Sequence, residues 1–135
     1  MKTQLTAAML FLLLAAHPAI AGNRLSIRLV KASNTEGGSA AGLSDVIKTL
    51  ADSLPYKHFS LVASGTMPLP ARGSVQQLGG YTVECDGAQS KLSIKVKRRG
   101  KTVLRKSANL PDGTHLIVGG FPAADGKLIL VFVAK

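Results

Sequence analysis

Few side chains in this sequence could serve as nucleophile, base or metal ligand. The chain has one cysteine, Cys85, and three histidines, His17, His58 and His115. A thiolate beside an imidazole would make a cysteine nucleophile. His58, His115 and Cys85 together also offer the donor atoms of a zinc or copper site. The surrounding pattern argues against both. Cys85 alternates with Tyr81 and Val83 on an apolar face, where a lone cysteine is ordinarily an inert core residue. The histidines show no ligand spacing. No Gly-x-Ser-x-Gly elbow, His-Glu-x-x-His or paired-cysteine motif is present. Glu36 and Glu84 are the only glutamates, and nothing suggests a paired-carboxylate hydrolase. The expectation is a protein that is not an enzyme and uses no metal and no cofactor.

Charge is the stronger signal. Between positions 91 and 106 lie eight cations and no acid: Lys91, Lys95, Lys97, Arg98, Arg99, Lys101, Arg105 and Lys106. On a strand, Lys95 and Lys97 share a face, roughly 7 Å apart, a spacing that suits phosphates or carboxylates. The plain alternative is a solvated face whose lysines protect a hairpin from edge pairing. Such a face usually mixes signs, and this stretch does not. The formal net charge of the whole chain is +10, enough to attract polyanions and anionic surfaces. Aromatic residues make up 4% and tryptophan is absent. Single-strand binders join positive charge to stacking rings, so nucleic acid is not the expected partner.

The elements that must carry these residues follow from the chain order. Met1-Lys2, an apolar stretch from about Leu5 to Ala16, and Ala19-Ile20-Ala21 read as a signal peptide over 1–21 with an Ala-x-Ala cleavage site. The stretch falls short of the ~20 residues of a membrane span, so no transmembrane segment is expected. Roughly 114 residues remain, the size of one domain, 22–135. A single cysteine leaves an exported chain without an internal disulfide, so packing must stabilise it. The expected address is periplasmic or secreted.

Arg24 to Lys31 alternates as a half-buried strand, with Leu25, Ile27 and Leu29 inward. Ala32 to Gly42 is small, polar and glycine-rich, and reads as a loop. Leu43, Val46, Ile47, Leu50 and Leu54 recur at helical spacing, predicting an amphipathic helix over 44–54 with Ser44 as N-cap. Asp45 would lie near its positive end, and Pro55 would stop it. A membrane-surface role for this helix is weaker than packing on a sheet, because its polar side is near neutral.

Lys57 to Ser64 reads as a strand. Thr66 to Gly73, with Pro68 and Pro70, reads as an edge or loop. Ser74 to Leu78 is a short strand, Gly79-Gly80 a turn, and Tyr81 to Asp86 a strand ended by a tight turn at Asp86-Gly87. Lys91 to Arg99 alternates most clearly, with Leu92, Ile94 and Val96 inward. It pairs with Thr102 to Leu110 in one of two registers. A three-residue loop sets Val96 against Leu104 and Leu92 against Ala108. A two-residue loop sets Val96 against Val103 and Ile94 against Arg105. One step flips every side chain, which favours the first. That register places Lys106 opposite Ile94, tolerable only at a sheet margin. Pro111-Asp112-Gly113 is a turn, His115 to Val118 a short strand broken by Gly119-Gly120-Phe121-Pro122, and Asp125-Gly126 turns into the last strand. That strand, Lys127 to Ala134, is apolar after its lysine, as expected where both faces are covered.

Leu43-Ser-Asp-x-x-x-x-Leu, then Tyr56-x-x-Phe-x-Leu-Val, Val118-Gly-Gly and Gly126-x-Leu-Ile-Leu resemble small exported bacterial proteins of unknown function. The resemblance implies fold and export and carries over no catalytic residue. The expected fold is α+β: a mostly antiparallel sheet of six to eight strands with one amphipathic helix packed on it. The expected role is a non-catalytic binding module. Lys91, Lys95, Lys97, Arg98, Arg99, Lys101 and Arg105 would contact an anionic envelope polymer or an acidic protein partner, with peripheral membrane-surface contact left open. The alternative is a structural subunit of an envelope assembly that pairs through an exposed strand edge.

Overall fold

The computed structural model describes residues 23–35 and 40–135. The signal peptide expected over 1–21 and the middle of the glycine-rich loop, 36–39, lie outside the described residues. Among the described residues the elements run β1 (Arg24–Ser33), α1 (Ile47–Ser53), β2 (His58–Pro68), β3 (Ala71–Leu78), β4 (Tyr81–Gly87), β5 (Leu92–Arg98), β6 (Lys101–Ala108), β7 (His115–Ala123) and β8 (Gly126–Ala134). The class is α+β, mostly antiparallel, with one helix. The single sheet expected from sequence is replaced by two sheets of four strands, ordered β2-β1-β8-β7 and β3-β4-β5-β6. No helix among the described residues is long and apolar enough to cross a membrane.

Three layers result. One core lies between the sheets and joins Leu25, Ile27, Leu29, Leu130 and Phe132 to Tyr81, Val83, Cys85, Leu92, Ile94 and Val96. A second lies on the outer face of the first sheet, where Val30, Ala32, Ile129, Val131 and Val133 meet Leu43, Val46 and Leu50 of the helical segment. Strand β8 is therefore interior and buried on both faces, as its unbroken apolar run demands. It pairs with β1 along its whole length, Leu25 opposite Ala134 to Ser33 opposite Gly126. Strand β1 is consequently more buried than its alternation suggests, because the helix covers the face that Val30 and Ala32 share. Ala32 and Ser33, placed in the loop by composition, belong to this strand.

The second sheet is covered on one face only. Its strands show clean alternation, and their polar rows face solvent. The chain crosses from one sheet to the other at Pro68-Leu69-Pro70, where missing ladder donors cost nothing at a strand end.

Several local expectations change. Helix α1 begins at Ile47 and its N-cap is Val46, with no side-chain cap. Ser44 and Asp45 sit in a preceding turn in which Leu43 O accepts from Val46 N and Ile47 N, and Asp45 is drawn to Arg28 instead of the helix end. Asp86-Gly87 does not form a tight hairpin. Asp86 stays in the ladder opposite Ser93, and a 3-10 turn over Gln89–Lys91 makes the connection. Gly119-Gly120 does not end the seventh strand; it is a bulge, after which pairing with β8 resumes at Phe121–Leu128.

Candidate functional site

The β5–β6 hairpin explains how both candidate registers are partly correct. Its loop is the two residues Arg99-Gly100, with Arg98 opposite Lys101. Both loop residues have positive φ, 53° and 79°, as a hairpin turn matching strand twist requires. A bulge on β6, across from the Val96–Lys97 step of β5, then sets Val96 opposite Leu104, Ile94 opposite Lys106 and Leu92 opposite Ala108. Val103 is the extra residue and stands exposed. The bulge rescues the apolar register from a turn that would otherwise flip it. Lys106 lies on the core-facing side, but β6 is an edge strand and the residue is exposed, so its amine reaches water.

This geometry divides the seven predicted cations. Lys91 lies in the 3-10 turn at the far end of β5. Arg98 leans over the Tyr81 ring, 5.4 Å from guanidinium carbon to centroid, opposite Lys101 at the hairpin tip, and Arg99 occupies the turn itself. Lys95, Lys97 and Arg105 share the solvent face of the sheet. The acid missing from the hairpin comes from its neighbour: Glu84 on β4 is opposite Lys95, but its carboxylate binds Lys97 at 3.0 Å. The Lys97 hydrogen bond, chiefly, holds the Glu84 carboxyl below its usual range. Lys97 is thereby partly neutralised.

Lys95 and Arg105 remain. They are a directly opposed cross-strand pair, and no ion pair to either occurs among the described residues. Like charges in this position are destabilising, by about 0.7 kcal/mol for unit charges ~6 Å apart in bulk water. The next row on the same face is Ser93 opposite Ser107. These four residues, with Ile94 and Lys106, line a shallow depression of about 340 Å³. Two cations and two hydroxyls on one open face form a cradle for an oxyanion. Sequence reading identified the cations and missed the serines, which become significant only once the register is known.

Cys85 and the histidines stand apart. Cys85 is buried on β4 in the sandwich core, and burial pushes its thiol up to about 12, which suppresses the reactive thiolate. His58 begins β2 in the other sheet, opposite Ser33. Among the described residues no three His, Cys, Asp or Glu side chains group as metal ligands.

A further cluster was not foreseen. Arg28 on β1 is buried and donates from both terminal nitrogens to Asp45, at 2.7 and 2.9 Å, and to Gly42 O at 2.9 Å. His115 Nε2 lies 3.2 Å from the same carboxylate. The Arg28 hydrogen bonds hold the Asp45 carboxyl far below the usual range, against the opposing effect of burial. This arrangement pins the turn before α1 to the first sheet. No family model matches the chain, and no curated protein or solved structure matches it either.

Proposed function

We propose that the chain is an exported, non-catalytic binding module that grips an anionic envelope polymer on the solvent face of its second sheet. The supporting observation is the opposed Lys95–Arg105 pair, whose neighbouring acid, Glu84 across from Lys95, is committed to Lys97, with serines in the adjoining row. A bridging oxyanion would turn that repulsion into two charge-assisted hydrogen bonds. Lys97, Lys101 and Arg99 extend the positive field, and the open face suits an extended polymer better than an enclosed small molecule. An acidic protein segment offers the same chemistry less densely.

Edge pairing is the second reading. Strand β6 is an edge exposed along most of its length, which favours it. Lys101, Arg105 and Lys106 on that edge guard against strand addition, so the anion reading ranks first.

Titration with heparin, a densely sulfated polymer, tests it. Two bridged cations give a log–log salt slope near 2, so affinity should fall at least tenfold between 50 and 200 mM salt. Lys95→Glu/Arg105→Glu should abolish the interaction while thermal unfolding stays unchanged. Undiminished binding by that variant, or binding indifferent to salt, overturns the proposal.

A further inference from the structure

The outer face of the first sheet is only partly covered by α1. Beyond the helix its rows turn polar: Thr66, Ser26 and Val133 across one row, then Arg24 beside Lys135. Arg24 and Lys135 exchange both backbone hydrogen bonds, Arg24 N to Lys135 O at 2.8 Å and Lys135 N to Arg24 O at 3.0 Å. They are a second directly opposed pair of like charges. No acid pairs with either among the described residues. The Arg24 guanidinium donates to Thr66 Oγ1 at 3.2 Å, which leaves most of its donors free. The arrangement on the second sheet is thus repeated here: opposed cations, with hydroxyls in the adjoining row of the same face.

The surroundings differ. This site is a pocket of about 330 Å³ lined by Arg24, Ser26, Arg28, Asp45, Thr66, Val133 and Lys135, within the size range of small-molecule sites. One wall is the Arg28–Asp45 pair. Its carboxylate is already occupied by Arg28 and His115, so it screens the two open cations only weakly. Val133 at the floor is buried, and the exposed stems of Arg24 and Lys135 supply apolar surface beside their charges.

We infer that this pocket binds a small organic anion, with its carboxylate or phosphate between Arg24 and Lys135 and hydrogen-bonded by Ser26, and a short apolar body against the side-chain stems that line it. The site is independent of the Lys95–Arg105 cradle and stands whether or not that cradle binds a polymer.

Two-dimensional amide NMR of the full chain tests it with four probes: hexanoate, hexyl phosphate, acetate and inorganic phosphate. Hexanoate or hexyl phosphate should saturably shift Ser26, Val133 and Lys135 amides, and the better of the two names the headgroup. The tail-free probes should bind at least tenfold more weakly. Arg24→Gln/Lys135→Gln should weaken the tailed probe at least tenfold, and Lys95→Gln/Arg105→Gln should leave it unchanged. All four positions are at the surface, and an unshifted spectrum elsewhere confirms that each variant folds. Non-saturating shifts, tail-free probes binding equally well, or loss of binding in the Lys95/Arg105 variant would each overturn the inference.

Discussion

Replacing Asp45 by Asn tests whether the Arg28 clamp organises the helical layer. Arg28 has a side chain only 10% exposed, whereas that of Asp45 is 41% exposed. Removing one partner of a buried ion pair costs ~3–5 kcal/mol, mainly because the other charge is left unpaired. Solvent at the Asp45 side screens that cost, and Gly42 O still accepts from Arg28. About 2 kcal/mol is then the expected loss for Asp45→Asn, a large share of the ~5–15 kcal/mol that holds a domain together. Acid supplies a second measurement. The folded carboxyl titrates below the unfolded one, so its contribution is complete above the unfolded value of ~4 and is lost as pH falls below it. Urea unfolding at pH 7 should show the wild type more stable by about 2 kcal/mol, and the gap should narrow steadily below pH 4. A double variant, Arg28→Met/Asp45→Asn, should recover part of the loss, because no buried charge remains unpaired. If Asp45→Asn unfolds within ~0.5 kcal/mol of wild type, or the gap ignores pH, the clamp does not stabilise the fold as argued.

Other outcomes follow from single contacts. Glu84→Gln frees Lys97 from the acid that pairs with it and should strengthen heparin binding and steepen its salt dependence, read by the same titration. Arg99→Gly relieves an L-residue held at φ 53° and should raise stability by about 1 kcal/mol in urea unfolding. Gly126→Ala should destabilise by ~1–3 kcal/mol, because a methyl there runs into the Ala32 backbone carbonyl at the end of the β1–β8 ladder. Cys85, buried with its thiol pushed up to about 12, should resist a thiol reagent at pH 8 in the native state and react at once in denaturant.

How much of this was legible in the sequence depends on which physical quantity each residue reports. Alternation reports how many faces of a strand are covered. Lys127 to Ala134 reads as covered twice and Leu92 to Arg98 as covered once, and both hold. Alternation does not report what does the covering. The inward rows of a sheet under a helix and of a sheet facing another sheet are the same, so the sandwich was invisible. The pairing of the first strand with the last spans nearly the whole domain and leaves no local turn to announce it. The helix start was misplaced because a serine before an apolar stripe looks like a cap, while a buried arginine far away in sequence held the neighbouring aspartate. Within the hairpin, apolar pairing correctly identified Val96 with Leu104 and Ile94 with Lys106. The bulge at Val103 is not legible locally, because the chain satisfies turn chemistry with Arg99-Gly100 and apolar register with the bulge, as two separate constraints.

The same separation explains the placement of charge. On the sheet covered on both faces Arg28 lies under the cover paired with Asp45, and the cations without an acid, Arg24 and Lys135, emerge where the cover stops. A sheet covered once can carry them along its whole free face, as Lys95, Lys97 and Arg105 do. If positive charge served solubility alone, the cheapest arrangement would set each cation across from an acid or a neutral residue, since opposed like charges lose stability for no gain. The fold tolerates such a pair beside hydroxyls on each sheet, and Glu84, opposite Lys95 in the ladder, turns to Lys97 instead. Replacing Arg105 by Glu separates the two explanations. It gives Lys95 a partner, so a merely solubilising face should become more stable by a few tenths of a kcal/mol with polymer binding untouched. A binding face should gain the same stability and lose the polymer.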